Sequence, residues 1–129
     1  MSWLSIAALN LALVVMTGAF GAHALKAKLS PEALGWWQTA VEYHFIHALG
    51  LLVIGALIRL SPALTAPLPS SLSNPALSLQ IGIVIFSGSL YAMALGAPRW
   101  FGAITPIGGL AFIVGWLWLA LLFWSSNRG

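Results

Sequence analysis

The chain has 129 residues, of which 60% are hydrophobic and 5% charged, against about 25% charged in a soluble domain, so it has too little polar side chain to cover a water-facing surface. Its net charge of +3 comes with Lys26, Lys28, Arg59, Arg99 and Arg128 set singly or as one close pair beside the ends of apolar runs; no basic stripe forms, and nucleic acid is excluded as a partner. The absence of cysteine removes disulfide frameworks, thiolate metal sites and cysteine nucleophiles.

With mean hydropathy at +0.98 and about 20 apolar residues needed to cross a hydrocarbon core of roughly 30 Å, the sequence predicts one all-α domain over 1–129. It reads as an integral membrane, antiparallel bundle of four transmembrane helices in the lipid bilayer. The first helix is expected at 3–25. It ends in Ala22-His23-Ala24, which imitates a signal-peptidase site, but no Lys or Arg precedes it and Lys26 and Lys28 follow; that charge order favours an uncleaved helix. The second is expected at 36–60. Pro62, Pro67, Pro69 and Pro75 then break the chain into one long loop over 61–75. The third is expected at 76–95, and the fourth at 104–124, opening on Thr105-Pro106 with Thr105 as its N-cap and Pro106 in the first turn.

Antiparallel spans place both termini and the long loop on one side of the membrane, side A. The loops 26–35 and 96–103 lie on side B, with Trp36, Trp37, Trp100 and Phe101 at headgroup level and Trp3 and Trp124 marking side A. Side B carries three basic residues, Lys26, Lys28 and Arg99, against Arg59 and Arg128 on side A. The sequence therefore predicts a multi-pass protein of the cell inner membrane with side B cytoplasmic and the termini periplasmic.

Depth singles out the polar residues. At about 1.5 Å per residue, Glu42 lies roughly 9 Å inside the side-B end of the second helix and His47 roughly 16 Å inside. His23, Tyr91 and Thr105 fall within about two turns of the same end, and Ser87 and Ser89 a little deeper, whereas the other half of the bundle is aliphatic apart from Asn10 and Gln80. On a helical wheel Thr39, Tyr43 and His47 form one stripe and Gln38 and Glu42 an adjacent one, both facing the interior. His44, about 200° from Glu42, is expected to lie outside that pocket and to meet another subunit or a different neighbour. A carboxylate in hydrocarbon costs several kcal/mol and needs a partner; His23, supported by Tyr91, is the partner expected. The candidate intramembrane cluster is therefore His23, Glu42, Tyr43, His47, Ser87, Ser89, Tyr91 and Thr105. Hydrogen bonds that merely tie helices together account for it more economically than a proton relay does.

Haem ligation by His23 and His47 is disfavoured because their depths differ by about 13 Å. His44-x-x-His47 lacks the His-Glu-x-x-His order of zinc hydrolases. No nucleotide loop, nucleophile elbow or carboxylate pair is present, so no catalytic residue, metal or cofactor is expected and the chain reads as a non-enzyme.

The segments Gly18-Ala19-Phe20-Gly21-Ala22-His23, Trp37-Gln38-Thr39-Ala40-Val41-Glu42-Tyr43 with His47-Ala48-Leu49, Phe86-Ser87-Gly88-Ser89-Leu90-Tyr91, and Thr105-Pro106-Ile107-Gly108-Gly109 with Gly115-Trp116 put one motif on each helix. In order and spacing the chain resembles the DUF423 family, also called UPF0382, small bacterial inner-membrane proteins related to the eukaryotic transmembrane protein 256. The resemblance implies a four-helix membrane protein and supplies no catalytic assignment. The family pattern includes positions matching His23, Glu42, Tyr43, His47, Ser87, Ser89, Tyr91 and Thr105, and does not include His44. The expected function is a non-enzymatic membrane protein whose polar cluster is structural or an assembly site, in a homo-oligomer or with a membrane-complex partner. The alternative is a component of a proton-coupled transporter or channel for small solutes, and the third reading is a haem or quinone redox subunit.

Overall fold

A computed structural model describes residues 1–128. Four helices long and apolar enough to cross a membrane run over Trp3–Leu25, Pro31–Ala63, Ser73–Ala94 and Arg99–Ser126, and the chain is an all-α integral membrane bundle of four spans. The first span closes in a π-helical turn, Gly21–Leu25, and the third carries another, Ile83–Ser87.

Three starts differ from the sequence expectation. The second span begins at Pro31 because Ser30 caps it, its hydroxyl accepting from the Ala33 N–H at 3.2 Å, with Pro31 in the first turn and Glu32 beside the positive end of the helix dipole. The third begins at Ser73, which accommodates Pro75 in its opening turn. Before the fourth, a 3-10 turn over Arg99–Ala103 leads into Thr105–Ser126; the N-cap position is Ile104, without a side-chain bond, and the Thr105 hydroxyl instead donates back to the Phe101 carbonyl at 3.3 Å.

The second span is the hub. It packs on the first and on the whole length of the third, while the fourth packs chiefly on the third. Two glycines set the approach distances: a Cβ on Gly55 would stand 2.9 Å from the Leu4 backbone nitrogen, and one on Gly108 would overlap the Phe86 backbone. Only a residue without a side chain allows helices that close. Toward side A the core is Ala7, Leu51, Ile54, Leu72, Ala76, Leu79, Ile83 and Phe112. Toward side B it is Leu25, Trp37 and Ala94, beside Ala40, Leu90 and Met93. Arg99 marks the side-B boundary, bonded to Glu32 at 3.2 Å and lying over the Trp36 ring at 5.9 Å; Arg128 over Trp124 at 5.0 Å does the same on side A.

Candidate functional site

The buried face of the second span runs through Trp37, Ala40, His44, Ala48 and Leu51, a spacing of three and four residues. Bulky Phe45, Ile46, Leu49 and Val53 are exposed on the other side, where lipid lies. His44, 4% exposed, therefore points into the bundle, and both of its ring nitrogens are bonded to neighbouring spans. Nε2 lies 3.0 Å from Asn10 Oδ1 and Nδ1 lies 3.1 Å from the Tyr91 hydroxyl.

The donors in this chain follow from one backbone group. Asn10 Nδ2 donates to the Ile6 carbonyl at 2.9 Å and to Gln80 Oε1 at 2.8 Å. A carbonyl can only accept, so the Asn10 amide is fixed with its oxygen toward His44. Oδ1 in turn can only accept, so His44 Nε2 carries hydrogen and Nδ1 of the neutral ring is the acceptor. Tyr91 then donates to Nδ1, and the Thr17 hydroxyl, 3.0 Å from Tyr91, donates to Tyr91. A proton added at Nδ1 reverses this half of the chain without breaking it: His44 donates to Tyr91, Tyr91 to Thr17, and Thr17 to the Val14 carbonyl at 3.2 Å. The path Gln80–Asn10–His44–Tyr91–Thr17 joins three spans and is satisfied in both directions.

Beside this chain an open cleft of about 370 Å³ separates the first span from the third. Asn10, Thr17, His44, Gln80, Ser87 and Tyr91 line it, and Leu13 and Val84, 50% and 62% exposed, form its rim. Toward side B it is closed by Trp37, whose ring meets Tyr91 at 4.7 Å and whose Nε1–H donates to the Thr17 carbonyl at 2.9 Å. Toward side A the aliphatic core closes it. Access is sideways, from the bilayer.

The expected cluster is thereby redrawn. Tyr91 takes Thr17 and His44 as partners, not His23 and Glu42. His23 and Glu42 are exposed, and among the described residues neither makes a side-chain hydrogen bond. The physical reason is a helical rotation of about 100°: the inward stripe of the second span is Ala40–His44–Ala48, so Glu42 turns outward. His44, expected to lie outside the pocket, is its centre, and Asn10 and Gln80 belong to it. Tyr43 is 39% exposed, its ring 4.5 Å from Phe86. His47 is buried, donates Nδ1–H to the Tyr43 carbonyl at 2.7 Å and stacks on Phe112 at 3.5 Å. Ser87 donates to the Ala40 carbonyl at 2.9 Å, pinning the π-helical turn of the third span to the second. Ser89 and Thr105 pair at 2.6 Å and join the third span to the fourth. No three His, Cys, Asp or Glu side chains converge to hold a metal among the described residues.

Residues 17–109 match the model of a family described as "Protein of unknown function (DUF423)". The chain is 48% identical over 116 residues to a UPF0382 membrane protein of Staphylococcus epidermidis, covering 90% of this chain and 89% of that one. It is 40% identical to a UPF0382 membrane protein of Bacillus subtilis, covering 90% of each. To a UPF0382 inner membrane protein of Escherichia coli it is 36% identical, covering 88% of this chain and 82% of the relative. No solved structure matches.

Proposed function

The chain belongs to the DUF423 family, and from that premise we propose that it is a non-enzymatic protein of the cell inner membrane that receives a bilayer-dissolved molecule in the cleft between its first and third spans. The observation that carries this reading is the sideways opening above a polar floor. Hydrocarbon-facing Leu13 and Val84 suit an apolar body, and the Gln80 amide, whose nitrogen has no partner among the described residues while its oxygen holds Asn10, offers a donor to a carbonyl or other acceptor. The chain of hydrogen bonds beneath it organises the bundle and keeps the cleft from collapsing. By its basic residues side B is cytoplasmic and the termini periplasmic.

Native mass spectrometry of the protein extracted in mild detergent tests this. A bound non-protein mass is expected on the wild type and lost in Val84→Trp, which fills the cleft from its rim. Bare protein, or a ligand retained unchanged in Val84→Trp, contradicts the reading. A second reading, proton-coupled transport, is favoured by one feature: His44 can take a proton at Nδ1 with every bond of the chain kept. Proton uptake into vesicles that disappears in His44→Gln would select it.

A further inference from the structure

About 100° around the first span from the cleft, a second groove of about 260 Å³ runs between the first and second spans, lined by Gly18, Ala22, Trp37, Gln38, Val41 and Glu42. Glu42 lies six residues beyond Trp36, which sits at the boundary with Arg99; a rise of about 1.5 Å per residue puts it about 9 Å inside the hydrocarbon. The other acid of the chain, Glu32, is paired with Arg99 at the surface. Glu42 and Gln38 are exposed, one turn apart, and among the described residues neither makes a side-chain hydrogen bond. A carboxylate facing lipid at that depth is strongly disfavoured unless another group covers it.

The groove is also kept open beyond what the chain's own packing demands. A Cβ on Gly21 would meet the Trp37 ring at 2.5 Å, so that glycine is needed internally, but one on Gly18 would stand 3.6 Å from Val41, an ordinary contact. The missing side chain at Gly18 leaves room on the outside.

We propose that this groove seats a transmembrane helix of a different protein, carrying a lysine or arginine that pairs with Glu42. A second copy of the chain does not supply that cation. Lys26 and Lys28 lie past the end of the first span and Arg99 at the start of the fourth, while Arg59 and Arg128 lie at the side-A ends. All stand at span ends, so a copy in either orientation brings none to the depth of Glu42. His23, in the last turn of the first span, is about 8 Å nearer the surface than Gly18 and its neighbour Val41. The proposal is independent of the cleft above His44, which opens on another face.

The test uses the full-length protein, fluorescently labelled in phosphatidylcholine vesicles, and a leucine-based transmembrane peptide with one lysine at the depth of Glu42. Resonance energy transfer is expected to show the lysine peptide associating about tenfold more tightly than the same peptide with leucine there. Glu42→Gln should erase that difference, and Glu42→Lys should transfer the preference to a glutamate peptide. Gly18→Leu, which closes the groove and leaves Glu42 intact, should weaken the lysine peptide as well. Equal association of lysine and leucine peptides, an asparagine peptide bound as tightly as the lysine one, or a lysine preference that survives Glu42→Gln would overturn the proposal. So would energy transfer between labelled copies of the protein that is lost in Glu42→Gln, which would make a second copy the occupant.

Discussion

Replacing His44 by leucine removes two bonds between spans, Nε2–H to Asn10 and the Tyr91 hydroxyl to Nδ1. Interhelical hydrogen bonds in membranes contribute about 0.6 kcal/mol on average and up to about 1.7. Tyr91 keeps Thr17, but Asn10 Oδ1, in a side chain 7% exposed, is left without a partner, which costs a further 1–3 kcal/mol or so. His44→Leu is therefore expected to destabilise the bundle by about 3 kcal/mol. His44→Leu combined with Asn10→Leu should cost less than the sum of the two single changes, by about 1 kcal/mol, because the second removes the orphaned acceptor. Glu42→Leu, at an exposed position without a hydrogen bond, should change the stability of the isolated chain by no more than about 0.5 kcal/mol or raise it. Equilibrium unfolding in mixed detergent micelles measures all four. A His44→Leu protein as stable as the wild type, with Glu42→Leu markedly weakened, would refute the reasoning and restore the cluster first expected around Glu42.

Further outcomes follow from the packing. Gly108→Ala drives a methyl into the Phe86 backbone and should destabilise by at least about 2 kcal/mol in the same unfolding assay, whereas Gly35→Ala, which meets nothing within 4 Å, should be neutral or stabilising by up to about 1 kcal/mol. Ser89→Ala strands the Thr105 hydroxyl only partly, since Thr105 also donates to the Phe101 carbonyl, so a loss near 1 kcal/mol is expected. Cysteines placed at Ala27 and Thr65, in the side-B and side-A loops, should react with a membrane-impermeant thiol reagent from opposite faces of vesicles; labelling from the same face would contradict four spans.

Span number and the long proline loop were legible because they rest on composition and length, which lipid enforces directly; Trp37, expected at headgroup level, is instead 5% exposed and packs inside the bundle against Tyr91, with its indole N–H on the Thr17 carbonyl. Depth along the membrane normal was legible only in part: rise per residue converts sequence number into depth, but the chain of bonds runs on from Tyr91 and His44 through Asn10 to Gln80, in the half of the bundle expected to be aliphatic. Rotation about the helix axis was not legible. In the second span the stripes Thr39–Tyr43–His47 and Ala40–His44–Ala48 differ by about 100°, and polarity alone chose the wrong one. The usable signal was the reverse of that in soluble proteins: Phe45, Ile46, Leu49 and Val53 are large and apolar and face lipid, while the small Ala40 and Ala48 flank the inward residue. The Ser30-Pro31-Glu32 start of the second span was also readable as a cap followed by a first-turn proline. The role of Asn10 and Gln80 was hidden because they meet across 70 residues of chain, and no local pattern links them.

The most direct measurement is solid-state nitrogen-15 NMR of the histidine rings in bilayers, with His44 assigned by its loss in His44→Gln. The structure predicts hydrogen on Nε2, a cross-peak from Nε2 to the Asn10 side chain, and an Nδ1 that shifts when Tyr91→Phe removes its hydroxyl partner. A ring protonated on Nδ1 alone, or one that is insensitive to both Asn10 and Tyr91, would contradict the three-span chain on which the account of this protein stands.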